Sequence, residues 1–231
     1  MTPTRTGDVQ AIQPSADLDK LAEIFVAAFP RLDADGQRLA MTLYRLLSEG
    51  RAVSCERLAQ ALNTPTAAVS RTLSQWPAVF YDESGHIIGF LGLTVEQTRH
   101  CLRVNEATVY AWCAWDTLFL PELLGTTATV TSTCAASGAP IRLTVSPTRI
   151  EIADPGRAVV SFLVPEKEEL RRNVTTSFCR FVHYFRSRKD GETWVDEHDG
   201  TFLLSLEDAF VVGKKKNALR FGHALGTKAQ I

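Results

Sequence analysis

The hydrophobic pattern of this 231-residue chain changes its period near residue 96, which limits the folds open to it. From residue 18 to about residue 75, apolar side chains recur three and four positions apart and predict four amphipathic helices. Two strand-like runs joined by a polar glycine turn, AVFYDESGHIIGFLGL, come next and predict a hairpin. From about His100 onward, short alternating runs such as TATVTSTC, IRLTVS and SFCRFVHYF predict strands.

Helices, a hairpin and then many strands predict an α+β fold. We expect a winged-helix-like N-terminal helical unit, packed on a strand-rich, mainly antiparallel C-terminal region with flanking helices. The predicted boundaries are a mobile tail at residues 1–17, a winged-helix-like domain at 18–95 and a second domain at 96–231. Within the second domain we predict one helix around Val109 to Leu124 and further helices near the C-terminus.

Local signals place several of these element ends. Pro30 closes the first helical pattern, Ser54 is a candidate N-cap of a short third helix, and Thr64-Pro65 begins a fourth. The run TVTSTCAASGAPIRLTVS predicts a hairpin with Cys134 just before its turn. The run Lys214–Lys216 predicts a solvated face.

Charge and hydropathy make several partners improbable on physical grounds. A formal net charge of -1 gives no general attraction to nucleic acid or to an anionic membrane. The presumptive recognition helix, Pro65 to Gln75, carries Arg71 as its one cation, whereas major-groove readers need several phosphate and base contacts. No apolar run approaches the roughly 18 residues of a membrane span. We therefore expect a cytoplasmic protein without a nucleic-acid or membrane partner.

The cysteines are odd in number and widely spaced, which predicts reduced thiols rather than a disulfide scaffold. Structural zinc sites favour close pairs such as C-x2-C, and the sequence has none, so a zinc knuckle is not favoured. A cysteine hydrolase that pairs Cys179 with His183 stays open at this point. The cysteines are Cys55, Cys101, Cys113, Cys134 and Cys179.

The stretch VYAWCAWDTLFLP sets Cys113 three residues before Asp116 among apolar and aromatic side chains. On the predicted helix the two residues share a face. Loss of hydration raises a carboxyl pKa above its usual value of about 3.9, and a helix N-terminus favours a thiolate. This turn therefore predicts a soft nucleophile beside a proton donor, although a plain core cysteine beside a helix-terminal acid remains the alternative.

Three motifs in order, AWCAWDTLFLP, TSTCAASGAPIRLTVSP and SFCRFVHYF, carry a resemblance to a known family. The chain resembles organomercurial lyases, also called alkylmercury lyases, from about Val109 to its C-terminal helices, and the winged-helix-like beginning agrees with that family. The resemblance implies protonolysis of the carbon–mercury bond of alkyl and aryl mercury compounds. The products would be a hydrocarbon and Hg(II), in a mercury detoxification and resistance role.

By motif position, the resemblance implies that Cys113 and Cys179 are the two catalytic thiols and that Asp116 is the acid. These three residues would also hold the Hg(II) product, while Cys134 would have a structural role. Thiolates are the softest ligands in proteins and suit a soft metal such as mercury. No organic cofactor is implied. The resemblance also implies small thiols for product release and mercuric reductase as a partner for Hg(II) transfer.

An apolar wall around the acid would suit an alkyl or aryl group and keep water out. The same aromatic residues are also compatible with an ordinary core. The candidates for this wall are Trp112, Trp115, Phe119 and Phe178.

One residue departs from the family pattern. Arg180 follows Cys179 where some members carry a second cysteine, which puts any auxiliary metal handling by that thiol in doubt. The alternative function is a winged-helix metal-responsive transcriptional regulator with a thiol mercury site. A basic recognition surface would favour it, and Arg71 alone is a poor one.

Overall fold

The computed structural model of the protein describes residues 17–227, so the predicted mobile tail at 1–17 lies outside the described residues except for Asp17. The first part of the chain is helical, as predicted. Its helices are α1 (Leu18–Ala28), α2 (Ala34–Leu47), α3 (Cys55–Leu62) and α4 (Thr66–Leu73).

Side-chain caps fix the starts of two of these helices. The carboxylate of Asp33 accepts a hydrogen bond from the Gly36 backbone N–H at the start of α2. The predicted cap Ser54 accepts one from the Arg57 backbone N–H at the start of α3. Each cap satisfies one of the free N–H groups that a helix start leaves.

Strands dominate the middle of the chain. They are β1 (Val79–Tyr81), β2 (Ile87–Phe90), β3 (Leu93–Thr94), β4 (His100–Val104), β5 (Ala107–Ala111), β6 (Ala128–Thr133), β7 (Pro140–Val145), β8 (Ile150–Asp154), β9 (Val159–Leu163), β10 (Tyr184–Phe185) and β11 (Thr201–Ser205). The remaining helices are α5 (Asp116–Leu124), α6 (Lys167–Arg172), α7 (Val174–Ser177), α8 (Arg188–Asp196) and α9 (Leu206–Thr227), with a 3₁₀ turn at Cys179–Phe181.

The described strands form an eight-stranded sheet in the order β1-β2-β3-β5-β4-β6-β7-β8 and a three-stranded sheet in the order β10-β9-β11. Neighbouring strands in both sheets are antiparallel. The predicted hairpin with Cys134 before its turn is the β6–β7 pair. In β6, buried and exposed side chains alternate, as expected for a sheet with one face on the core. The α+β prediction is confirmed.

The prediction of one helix from around Val109 to Leu124 is wrong in its first half. Residues 107–111 form β5, which pairs with β3 and β4, and α5 begins only at Asp116. Val109 and Tyr110 are β-branched and aromatic, and such residues gain more from pairing across a sheet than from a helix. Residues 112–115 form the turn between β5 and α5.

The prediction of a strand across SFCRFVHYF is also largely wrong, because only Tyr184 and Phe185 lie in a strand. The chain forms the short helix α7 just before this run and the 3₁₀ turn Cys179–Phe181 within it. Asn173 starts this non-extended segment, since its side chain accepts hydrogen bonds from the backbone N–H groups of Thr175 and Thr176.

The C-terminal helix α9 packs on α1, α2 and α5 and so joins the first helices to the middle of the chain. Its Asn217 side chain donates to the carbonyl of Phe119 on α5. Within residues 17–227 no helix combines the length and the apolar character that crossing a bilayer requires.

Candidate active site

The turn between β5 and α5 carries Cys113 and Asp116. The backbone N–H of Cys113 donates to the Asp116 carboxylate at 2.9 Å, and the backbone N–H of Trp112 donates to the carbonyl of Gly92 at 3.0 Å. Asp116 is the first residue of α5, where the helix dipole favours a carboxylate. Cys113 precedes the helix, so the predicted shared helix face is wrong, and the turn itself brings the two side chains together.

A second segment brings Cys179 to the same place. The backbone N–H of Ala114 donates to the carbonyl of Val182 at 3.2 Å, which joins the first turn to the segment around the 3₁₀ turn. The Sγ atoms of Cys113 and Cys179 and a carboxylate oxygen of Asp116 all lie within 4.8 Å of one another. All three side chains are buried. Two soft ligands and one acid thus face a common point.

Burial raises the pKa of Asp116 to about 6, although a hydrogen bond from Cys113 and the charge of Lys216 act in the opposite direction. This agrees with the predicted effect of an apolar surround on the carboxyl group. The carboxylic acid form is therefore accessible near neutral pH. An acid with such a pKa can deliver a proton under the conditions in which most enzymes work.

The thiol of Cys113 behaves differently from the prediction. Burial raises its pKa well above the usual value, and its hydrogen bond to Cys179 raises it further. The predicted shift toward thiolate is thus wrong, because complete burial outweighs the position before a helix. For Cys179 the hydrogen bond from Cys113 lowers the pKa, but burial and the nearby Asp116 together raise it above the usual value.

A narrow, mainly apolar cavity of about 50 Å³ reaches Asp116 and Cys179. The predicted wall residues Trp112, Trp115, Phe119 and Phe178 all line it. Phe25 of α1 completes this wall, with its ring centroid 4.7 Å from that of Trp115 and 4.7 Å from that of Phe178. The indole N–H of Trp115 donates to the carbonyl of Ala209 at 2.9 Å, which orients the ring. An organic group would meet aromatic faces here and little water.

Sequence reasoning missed several residues that line this cavity. Phe25 and Tyr44 come from α1 and α2, and Lys216 and Arg220 come from α9. The helical spacing of Phe25 predicts only that this residue is buried in the core, because a sequence pattern does not show which elements contact each other.

The predicted solvated face at Lys214–Lys216 is wrong for Lys216, which is only 9% exposed. Its Nζ lies 3.1 Å from the centroid of the Phe119 ring, and burial lowers its pKa to about 7. Lys214 is half-buried and pairs with Glu122. The α9 helix therefore turns one of three consecutive lysines inward, as a period of 3.6 residues requires when one face packs on α5.

The absence of a side chain at Gly92 leaves the space that the Asp116 carboxyl group occupies. The φ of Gly92 is +102°, and an added Cβ would lie 2.6 Å from Oδ1 of Asp116. We expect Gly92→Ala to displace the carboxyl group and to slow any proton transfer from it by about 100-fold, because misplacements of about 1 Å have effects of that size. The matched control is Gly85→Ala, which has a similar φ of +77° but no atom within 4 Å of the added Cβ.

The comparison is made by a single-turnover assay of both variants, with their thermal unfolding measured alongside. Both should lose some stability, because alanine tolerates positive φ poorly. Only Gly92→Ala should lose the chemistry. Equal loss of rate in the two variants would show that backbone strain, not crowding of Asp116, controls the site.

Cys134 lies outside the Cys113, Asp116 and Cys179 group. It is buried, and its backbone N–H donates to the carbonyl of Ala139 at 2.8 Å. Its backbone also forms an isolated β-bridge with Tyr184 of β10. We expect Cys134→Ser to lower the free energy of unfolding by roughly 1 kcal/mol, a usual cost of changing a buried side chain. The rate of chemistry per folded molecule should stay unchanged. A denaturant titration with a single-turnover assay checks both, and lost chemistry at unchanged stability would contradict a structural role.

Comparisons with known proteins found two family models that match this chain. Residues 93–216 match the family model described as alkylmercury lyase, and residues 30–92 match the one described as the helix-turn-helix domain of alkylmercury lyase. An alkylmercury lyase from Bacillus cereus is 40% identical over 172 residues, which cover 74% of this chain and 77% of that protein. An alkylmercury lyase from Pseudomonas putida is 42% identical over 175 residues, 76% and 81% of the two chains.

A solved structure supports the fold. The crystal structure of the mercury-bound form of MerB2 superposes with a TM-score of 0.67 and 24% sequence identity, and the match covers 87% of this chain and 98% of that one. At this identity the likeness concerns the fold alone.

Proposed function

The chain belongs to the alkylmercury lyase family, and from this premise we propose that it cleaves the carbon–mercury bond of alkyl and aryl mercury compounds by protonolysis. The observation that carries the proposal is the buried group of two thiols and one acid within 4.8 Å of one another. Sulfur is the preferred ligand of a soft metal. The Asp116 carboxyl group is close enough to both sulfurs to protonate a carbon atom bound to a metal that they hold.

In the proposed reaction, one thiol loses its proton to Asp116 as its sulfur bonds to mercury and displaces the substrate's labile ligand. The other thiol of the pair Cys113 and Cys179 then gives up its proton to the displaced ligand or to solvent as its sulfur adds to mercury. This second bond pushes electron density onto the carbon atom. Asp116 gives its proton to that carbon, the carbon–mercury bond breaks, and the hydrocarbon leaves.

Hg(II) stays on the two sulfurs, with the Asp116 carboxylate beside it. The high thiol pKa values favour this order of events, because thiols that start protonated supply the proton that the carbon finally receives. The raised pKa of Asp116 lets the carboxyl group carry this proton between sulfur and carbon. The reaction needs no organic cofactor, since protons and thiol ligands account for every step.

The aromatic wall has two roles in this proposal. Trp115, Phe119 and Phe178 offer an apolar surface to the organic group of the substrate. They also exclude water, which would otherwise stabilise the ionised form of Asp116 and compete for the proton. Trp112 lines the same space from the turn that carries Cys113.

We further propose a cytoplasmic detoxification role. All five cysteines are free, which fits a reducing compartment. Small thiols would remove Hg(II) from the protein, and mercuric reductase would be a suitable onward acceptor. Helix α4 carries Arg71 as its one cation, so a nucleic-acid partner has little electrostatic support.

The test is headspace gas chromatography for methane after incubation of the purified protein with methylmercury and excess small thiol. We expect methane from the parent protein. Cys101→Ser is the matched control, because Cys101 is a half-buried thiol on β4 outside the proposed site, and it should produce methane equally well. Absence of methane from folded protein with reduced thiols would overturn the proposed lyase reaction.

A further inference from the structure

A second cavity, of about 380 Å³, meets the first one at Cys179 and Trp112, which line both. It is more open and differs in charge. Arg99 and Arg180 lie at its exposed rim, and His100 and His183 line it deeper in the protein. No acidic residue lines it within the described chain. We call this space the cationic cavity.

Three polar side chains of the cationic cavity, those of Arg99, Arg180 and His183, keep free binding capacity. Arg99 and Arg180 have no carboxylate partner among residues 17–227, and the Arg180 guanidinium rests on the Phe181 ring at 4.4 Å. The Nδ1 atom of His183 is buried and has no hydrogen-bond partner. Burial, with the charge of Arg99 acting in the same direction, lowers the pKa of His183 to about 4 and also lowers that of His100. The positive field of the cavity therefore rests on the two arginines.

Mercury chemistry gives such a space a use. An Hg(II) ion held by two thiolates leaves by ligand exchange, in which an incoming thiolate bonds to mercury before a protein sulfur departs. The incoming thiol must therefore reach a sulfur that already holds mercury. The narrow apolar cavity suits the organic group of the substrate, and the cationic cavity gives a wider and more polar approach to Cys179.

We propose that the cationic cavity binds the acceptor thiol that removes Hg(II), and that Arg99 and Arg180 select acceptors bearing carboxylate groups. This inference rests on the proposed lyase function. The exchange is balanced: two acceptor thiols give up their protons and bind mercury, and Cys179 and Cys113 each regain a proton as their sulfurs are released. No electron changes hands. Arg180, beside one mercury-binding thiol, thereby has a role in product release.

The test starts from protein loaded with one equivalent of mercuric chloride, so it does not depend on carbon–mercury cleavage. Release is followed as the mercury that stays with the protein after rapid desalting. The acceptors are mercaptosuccinate, which carries two carboxylates, and mercaptoethanol, which carries none. The variants are Arg99→Gln, Arg180→Gln, the double variant and the charge-retaining Arg99→Lys/Arg180→Lys.

We expect each single glutamine variant to slow release to mercaptosuccinate by about threefold and the double variant by about tenfold, the size expected for exposed ion pairs. Release to mercaptoethanol should change by less than about twofold, and the lysine pair should restore most of the mercaptosuccinate rate. Arg103→Gln, an exposed arginine of β4 outside the cavity, is the matched control and should leave both rates unchanged. Equal slowing for both acceptors, or no slowing for mercaptosuccinate, would overturn the assignment.

The lyase function and the acceptor site can be disproved separately. Methane production without any charge preference among acceptors would leave the lyase function standing and remove the acceptor site. A charge preference in mercury release, without methane from methylmercury, would remove the lyase function and keep the cavity as a thiol-binding site.

Discussion

Asp116→Asn is expected to stop hydrocarbon release while the protein still binds organomercury. The amide carries no transferable proton, and general acids contribute about 10²- to 10⁴-fold to such steps, so the methane rate should fall by that factor. The amide oxygen can still accept the hydrogen bond that the Cys113 backbone N–H donates at 2.9 Å, so the turn should keep its shape. Single-turnover methane formation measures the rate, and intact mass spectrometry measures the bound organomercury.

Asp116→Ala gives a second reading of the same position. It should also bind organomercury and release little hydrocarbon, but it leaves the buried N–H of Cys113 without its acceptor and should lower stability as well. Asp196→Asn, at the exposed end of α8, is the control for an ordinary loss of one carboxylate. A methane rate within about threefold of the parent in Asp116→Asn, far less than a general acid contributes, would mean that the proton comes from another group.

Cys179→Ser is expected to abolish turnover. A serine hydroxyl is a hard, weakly acidic ligand, so the second bond to mercury would not form and the carbon would not gain the electron density that it needs. Cys113 would still bind organomercury. Loss of a nucleophile that acts as part of a unit lowers rates by on the order of 10³-fold or more. Cys113→Ser should have the same effect on methane formation, with Cys179 as the remaining binding thiol.

The control for these substitutions is Cys101→Ser, which removes a thiol away from the site. Because Cys113 and Cys179 are buried, the unfolding midpoint of each variant must be measured beside its rate. Full activity in Cys179→Ser would contradict a mechanism that requires two sulfurs on mercury.

The sequence alone predicts that Cys113 and Asp116 are neighbours, but it does not predict that Cys179 joins them. Cys113 and Asp116 had to lie near each other, because three residues cannot separate them far in any backbone conformation. Nothing in the residues themselves could bring in Cys179, 66 positions later, since its approach depends on the backbone contact between Ala114 and Val182. Only the family resemblance predicted that pairing.

The secondary structure beside the site also could not be predicted from the sequence pattern alone. VYAWCAWDTLFLP has apolar residues at nearly every position, so periodicity alone could not separate the strand β5 from the helix α5. The position of Cys113 before a helix predicts a lowered thiol pKa, whereas complete burial, which the sequence does not reveal, raises it. A run of three lysines predicts exposed side chains and does not show that Lys216 is the buried one.

The helical N-terminal unit also matters for which organic groups can enter. The Phe25 ring contacts the rings of Trp115 and Phe178, so a residue of α1 that lies 88 positions before Cys113 shapes the space beside the two thiols. In the proposed reaction the thiols and the acid act on mercury and on the carbon bonded to it, whereas the packing of α1 limits the size of the organic group. Natural or laboratory evolution of substrate preference can therefore act through the first helix and leave the chemistry unaltered.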